Sequence, residues 1–186
     1  MIRIAETKDA ASIAIIYNHY IANSTVTFEE EAVDSQMILK RMNAHKQLKW
    51  WVCEIENEIV GYAYATYWKP RTAYRYTLET SVYIASDYQK KGIGKKIYSH
   101  LIEELKTHGF KTLLAGISLP NKGSVLFHEN LGFRRVGQLE RVGFKFNKWI
   151  DVGYWELNPK SIFHRKIFHK LGGIIPFDIG GIIHQF

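Results

Sequence analysis

A single cysteine, Cys53, stands in 186 residues, so the chain forms no internal disulfide and builds no cysteine-based zinc cluster. It falls in the strand-like run Trp50-Trp51-Val52-Cys53-Glu54-Ile55 and reads as a buried thiol rather than a nucleophile. No apolar run reaches the ~18 residues that a membrane helix needs. The opening residues Met1-Ile2-Arg3-Ile4-Ala5 do not read as a basic-then-apolar leader. A cytoplasmic protein without stable membrane insertion is expected. Acidic side chains are the minority, 18 against 25 Lys and Arg, which leaves a net charge of +7.

Apolar residues make up 46% and aromatics 14% of the chain, enough to offset chain entropy, so one globular domain with a packed core is the default. Of the positive excess, +3 falls in residues 159–186, where four basic residues meet one acidic. Such an excess suits nucleic acid, a membrane surface or an anionic small molecule, and charge does not choose among them.

From Met1 to Leu157 apolar patterning alternates between strand and helix periods across short connections, which indicates an α/β domain. Strand Ile2–Ala5 leads through Thr7-Lys8-Asp9 to a helix with Ile13, Ile16, Tyr17 and Tyr20 on one face. A second helix is expected after Asp34. Leu48–Ile55 and Ile59–Trp68 flank Glu56-Asn57-Glu58 as an antiparallel hairpin. Strand Tyr76–Ile84 follows, then a helix whose Ile93, Ile97, Leu101 and Leu105 form a buried stripe, stopped at Gly109. Strand Thr112–Ile117, a helix over Ser124–Asn130, and strands Phe133–Val142 and Trp149–Leu157 complete a domain spanning 1–158. Residues 159–186 are expected to be a partly helical extension, with Phe163, Ile167, Phe168 and Leu171 at helical spacing.

The most informative segment is Ser81-Val82-Tyr83-Ile84-Ala85-Ser86-Asp87-Tyr88-Gln89-Lys90-Lys91-Gly92-Ile93-Gly94-Lys95. It reads as strand, loop and helix, and backbone N–H groups at such a helix start bind phosphate. The glycines permit close approach, and Lys90, Lys91 and Lys95 add charge suited to a pyrophosphate. The dinucleotide fingerprint needs a third glycine where Ile97 stands, and no GxxxxGK[ST] sequence occurs. A different phosphate-bearing ligand is therefore expected. His128-Glu129 is not completed to HExxH, and no metal site is expected.

Gln89-Lys90-Lys91-Gly92-Ile93-Gly94 resembles the acetyl-CoA loop of the GNAT superfamily of N-acetyltransferases. Asn121, followed by Phe127-His128-Glu129-Asn130-Leu131-Gly132-Phe133, resembles that superfamily's second signature region. Trp68-Lys69-Pro70-Arg71, Leu78-Glu79-Thr80-Ser81-Val82-Tyr83 and Val142–Gly153 are similar to its phosphinothricin and methionine sulfoximine N-acetyltransferase branch. The resemblance implies a central mixed, mostly antiparallel twisted sheet flanked by helices, and acetyl-CoA as cosubstrate without a metal. A homodimer is expected.

An α-amino group has a reference pKa of about 8 and is largely protonated at neutral pH, so acetyl transfer to it needs a base. The resemblance marks Glu79 for that role and implies that Val82, Tyr83 and Ile84 pair their backbone with the pantetheine arm. The loop Gln89–Lys95 would hold the phosphates, with Asn121 and Asn130 as further cofactor contacts. An asparagine before a helix is also simply a cap. His128 stands where many relatives offer a proton to the departing thiolate; helix packing or a CoA contact is the alternative.

By the same resemblance Lys69, Pro70, Arg71, Glu79, Thr80 and Ser81 line the acceptor site. Phe28, Trp68, Tyr74 and Tyr76 are candidate walls, with core or dimer packing as their alternative. Lys69 and Arg71 suit a small amine that also carries an anionic group. Thr80 departs from the His or Ser common in the branch, which leaves the acceptor open between phosphinothricin, methionine sulfoximine and related amino acids. Acetylation of a protein N-terminus or polyamine is the second reading, and a nonenzymatic nucleic-acid-binding module the third. Glu29-Glu30-Glu31 and Glu103-Glu104 speak against the basic stripe that the third reading needs.

Overall fold

A computed structural model describes residues 1–159; the helix expected around Phe163–Leu171 and the glycine-paired end lie outside the described residues. The elements are β1 (Ile2–Ile4), α1 (Ala10–Asn23), α2 (Ser35–Asn43), β2 (Trp51–Ile55), β3 (Glu58–Tyr67), β4 (Thr77–Ile84), α3 (Ile93–Thr107), β5 (Thr112–Leu119), α4 (Lys122–Asn130), β6 (Arg134–Lys145) and β7 (Lys148–Leu157). The strands form one seven-stranded sheet in the order β1-β2-β3-β4-β5-β7-β6. Every neighbouring pair is antiparallel except β4 and β5.

Local chemistry sets the helix ends. Asp9 accepts from the Glu6 N–H at 2.7 Å while Glu6 caps in return. Asp34 accepts from the Met37 N–H at 2.7 Å and starts α2. At the far end of α3, Gly109 takes φ +84° and Phe110 N–H returns to the Leu105 carbonyl. The stripe Ile93, Ile97, Leu101 and Leu105 is buried throughout.

The sheet carries a core on each face. On one side α3 and α4 cover Ala63, Leu78, Leu113, Ile117 and Trp155. On the other, α1 and α2 bring Ile13, Tyr17 and Ile38 onto Trp50, Val52, Tyr62 and Tyr83. Cys53 is buried, and desolvation pushes its thiol up, away from the thiolate a nucleophile needs. The hairpin turns use Glu56 and Asn57 (φ 49° and 65°) and Phe146 and Asn147 (φ 50° and 58°).

Two strands run past their expected ends. β5 reaches Leu119 and β6 reaches Lys145 rather than Val142. The register of β6 on β7 shifts between Leu139 and Gly143, where Arg141 takes φ 50°. That bulge interrupts the alternation from which a strand is read.

Candidate active site

The parallel pairing of β4 with β5 covers only Thr77–Glu79 against Thr112–Leu114. β5 continues alongside β7 as far as Leu119, and β4 alongside β3 as far as Ile84. The sheet therefore forks just after Glu79. Thr80 closes the fork: its hydroxyl donates to the Leu114 carbonyl at 3.1 Å and lies 2.5 Å from the Tyr98 hydroxyl of α3.

Past the fork one edge of β4 has no neighbouring strand. Ala85 N–H donates to the Val60 carbonyl of β3 at 2.9 Å. Backbone groups alternate along a strand, so Tyr83 and Ser81 also face β3, while Val82 and Ile84 face the gap. Side chains alternate through the sheet in the same way. Leu78, Thr80 and Val82 lie on the α3 side; Glu79, Ser81 and Tyr83 lie on the α1 side.

The Glu79 carboxylate leans over β5. A Cβ built on Gly116 would stand 3.1 Å from Glu79 Oε1 and 3.6 Å from the Tyr154 ring. Burial raises the Glu79 carboxyl above its ordinary value, and the Lys69 ammonium partly opposes the shift. Burial and the nearby Glu79 charge push the Tyr154 phenol up as well. Among the sequence-predicted acceptor residues, Lys69 reaches this field, with its Nζ 5.0 Å from the Trp68 ring centre. Pro70 and Arg71 are exposed and lead into a short turn over Thr72–Tyr74. Arg75 is engaged locally, donating to the Thr72 carbonyl at 3.2 Å and lying over Tyr76.

The segment between α1 and α2 is fastened above the same face. Tyr17 hydrogen-bonds Thr27 at 2.7 Å and Glu29 at 2.9 Å, and Arg41 grips Glu29 at 2.7 and 2.9 Å. Buried Lys145 of β6 donates to the Thr27 carbonyl at 2.9 Å. Phe28 rests where a side chain on Gly143 would otherwise go.

The loop after β4 ends in an uncapped helix. Gly92 takes φ +78° as N-cap of α3, and no side chain bonds to the first turn. Lys90, also at positive φ, Lys91 and Lys95 are exposed around it. Free N–H groups at the helix start, together with three ammonium groups, match a pyrophosphate in charge and in donor geometry.

The second signature region is built differently. Asn121 caps α4 by accepting from the Ser124 N–H at 3.0 Å. Asn130, the last residue of α4, is exposed. His128 is buried against the rings of Tyr98, Phe127 and Phe133. Its Nδ1 lies 2.8 Å from the Ser124 carbonyl, which only accepts, so Nδ1 carries the proton and Nε2 of the neutral ring is an acceptor. Burial lowers its pKa.

The parallel pair opens part-way, with a carboxylate at the fork and an uncapped helix start after the end of β4. Residues 2–153 match the family described as acetyltransferase (GNAT) domain. The chain belongs to the GNAT acetyltransferases. The acetyltransferase is 40% identical over 156 residues to phosphinothricin N-acetyltransferase of Streptomyces viridochromogenes, covering 83% of this chain and 85% of the relative. It is 35% identical over 158 residues to an L-methionine sulfoximine/L-methionine sulfone acetyltransferase of Salmonella typhimurium, covering 84% and 92%. A Salmonella typhimurium structure solved with its cofactor acetyl-CoA superposes with a TM-score of 0.83 at 34% identity, covering 86% of this chain and 93% of the other. The protein is an acetyl-CoA-dependent N-acetyltransferase, and the mixed, mostly antiparallel sheet with flanking helices is the fold its sequence implied.

Several groups that pack around the fork of the acetyltransferase were not singled out from the sequence. Gly116 was legible in principle, since an isolated glycine inside a strand signals a close approach. Tyr154 and Tyr98 read only as strand and helix aromatics. Tyr20, on α1, bonds the end of β4 and Gln89 of the following loop at once, and nothing in its own helix announces that.

Proposed function

We propose that this acetyltransferase moves the acetyl group directly from acetyl-CoA to the amino group of a small amino-acid-type acceptor, with Glu79 as general base. The observation that carries the reading is the Glu79 carboxylate, raised by burial, at the fork of β4 and β5. The similarity to enzymes named for phosphinothricin and methionine sulfoximine supports the acceptor class.

Acetyl-CoA supplies the activated carbonyl. Glu79 takes a proton from the acceptor ammonium, directly or through water, and its raised basicity suits that transfer. The neutral nitrogen then forms the new N–C bond as the C–S bond breaks and the electron pair leaves on sulfur; the proton that the new amide nitrogen sheds goes to the departing thiolate through water, and Glu79 returns its own proton to solvent. Val82, whose backbone faces the gap, pairs with the pantetheine arm, and Gly92–Lys95 hold the phosphates. Lys69 holds an anionic group of the acceptor beside Glu79.

Three roles shift within this reading. His128 carries its proton on the Ser124-bonded nitrogen in a dehydrated aromatic box, which supports packing beneath the cleft over proton donation. The Asn121 bond to Ser124 supports helix capping over a cofactor contact. Thr80, facing α3, holds the fork rather than touching the acceptor.

A homodimer belongs to the same proposal. The β6–β7 hairpin exposes Leu139, Val142, Phe144, Phe146 and Trp149, the last 64% exposed, apolar surface that water disfavours; the Phe144 and Trp149 rings lie together, 5.1 Å apart. Light scattering should give twice the chain mass at micromolar concentration, and Trp149→Glu should halve it.

The test of function is CoA-thiol release from acetyl-CoA with phosphinothricin, methionine sulfoximine, methionine sulfone, ordinary amino acids, polyamines and short peptides. The amino-acid-type acceptors should turn over at least tenfold faster than the rest. Preferential turnover of polyamines or peptides would overturn the acceptor class while leaving acetyl transfer in place.

A further inference from the structure

The free edge of β4 does not extend over all three residues from Val82 to Ile84. Tyr83 turns its backbone to β3. At Ile84 the edge is already occupied: the Tyr20 hydroxyl of α1 donates to the Ile84 carbonyl at 2.6 Å, and the Ile84 N–H points back at the same oxygen from 3.4 Å. That oxygen also accepts from the Gln89 side-chain amide at 3.1 Å. The Tyr20 ring is held edge-on against Tyr83, with centroids 5.1 Å apart, and half-burial pushes its phenol up so that it stays protonated.

We propose that Tyr20 is a positioning residue for acetyl-CoA: by holding the Ile84 carbonyl and the Gln89 side chain on one oxygen, it ends the open edge after Val82 and fixes the start of the phosphate loop. Two parts of one ligand are gripped by segments that meet here. The pantetheine amides need the backbone of Val82, and the pyrophosphate needs the N–H groups at Gly92–Lys95. Between them the chain passes Gln89 and the left-handed Lys90, a stretch with little packing of its own. A hydroxyl that ties both ends to α1 sets their separation before the ligand arrives, so less ordering remains to be done on binding. The inference rests on the assignment of the Gln89–Lys95 loop to the phosphates.

The test compares acetyl-CoA affinity, by calorimetry, in the wild type, Tyr20→Phe, Gln89→Ala, the double variant and Lys91→Ala. Tyr20→Phe keeps the ring against Tyr83 and removes only the hydroxyl. Its acetyl-CoA Kd and KM should rise about five- to tenfold, the loss of one hydrogen bond to a partly buried carbonyl. The acceptor KM should stay unchanged, and kcat at saturating acetyl-CoA should fall less than twofold. Gln89→Ala should show part of the same loss, and the double variant no more than Tyr20→Phe alone. An unchanged affinity in Tyr20→Phe, with a weakened Lys91→Ala, would overturn the positioning role and leave the loop assignment standing. Additive losses in the double variant would overturn the coupling through Gln89. Unchanged affinity in both Lys91→Ala and Tyr20→Phe would overturn the loop assignment and the inference together. Were Tyr20→Phe poorly folded, the exposed Gln89→Ala variant would decide alone, and its wild-type affinity would overturn the proposal.

Discussion

The Thr80 hydroxyl lies 2.5 Å from the Tyr98 hydroxyl at the point where β4 and β5 part. Thr80 has one proton, and the Leu114 carbonyl 3.1 Å away can only accept it, so Tyr98 is the donor to Thr80. Tyr98 is fully buried and its phenol is pushed up by desolvation. Thr80→Val strands that phenol without a partner and should destabilise the fold by about 1–3 kcal/mol in urea titration. Tyr98→Phe leaves the Thr80 bond to Leu114 intact and should lose about 1 kcal/mol. The double variant removes both partners and should be more stable than the sum of the two losses allows. Strict additivity would mean that the two hydroxyls are not coupled.

Glu79→Gln separates catalysis from stability. Removing the base should lower kcat about 10²- to 10⁴-fold and abolish the acidic limb of the pH–rate profile. In the wild type that limb should lie above the ordinary carboxylate range, because burial raises the Glu79 carboxyl. The stability effect has the opposite sign. A carboxyl raised in the folded state binds its proton more tightly there than in the unfolded chain, so folding loses stability as pH climbs through the folded-state value. Glu79→Gln escapes that loss and should melt higher than wild type at neutral pH, with the gap closing below the unfolded-state value. Full activity in Glu79→Gln at every pH would remove Glu79 as base.

Gly143→Ala tests the segment above the cleft. A Cβ there would meet the Phe28 ring at 2.4 Å, and Gly143 has no positive φ to complicate the change. Phe28 is 40% exposed and has room to yield, so the loss of stability should stay near 1 kcal/mol, the low end for overpacking. If Phe28 walls the acceptor site, the acceptor KM should rise several-fold while the acetyl-CoA KM holds. Equal changes in both would place Phe28 outside the acceptor site.

The fold was legible where one periodicity ruled a whole element. The four-residue stripe of α3, the Asp34 cap and the Asn57 turn are local, and the chain writes them locally. The fork was not legible as geometry, because it depends on which strand lies beside β5, and that place is taken by β7 rather than by β6, the next strand in sequence. The same limit divides the site. Glu79 and the Gln89–Lys95 loop sit together in sequence and came through the resemblance. Tyr20 and Gly116 join the cleft only by tertiary approach, from 64 residues away in the case of Tyr20 and Ile84. Asn121 and His128 fit either a cofactor contact or local helix packing by residue type, and a hydrogen bond to Ser124 in each case fixes how they sit.

Gly116 makes the last prediction, one in which stability and activity diverge. It lies inside β5, paired in unbroken register with Tyr154 of β7, and no positive φ requires a glycine there. By strand chemistry alone Gly116→Ala should stabilise the chain by about 0.5–1 kcal/mol, since glycine loses more backbone entropy on folding. The added methyl, however, would stand 3.1 Å from Glu79 Oε1, closer than a carbon and a carboxylate oxygen settle comfortably. The carboxylate must give way by a few tenths of an ångström, off the line to an amine held above β5, and a misplaced base transfers protons poorly. Thermal melting should therefore show an equal or higher midpoint, while kcat/KM for the acceptor falls about tenfold and acetyl-CoA affinity is retained. Wild-type turnover in Gly116→Ala would mean that the carboxylate works equally well from a shifted position, so that the bare floor of β5 does not fix where the base acts.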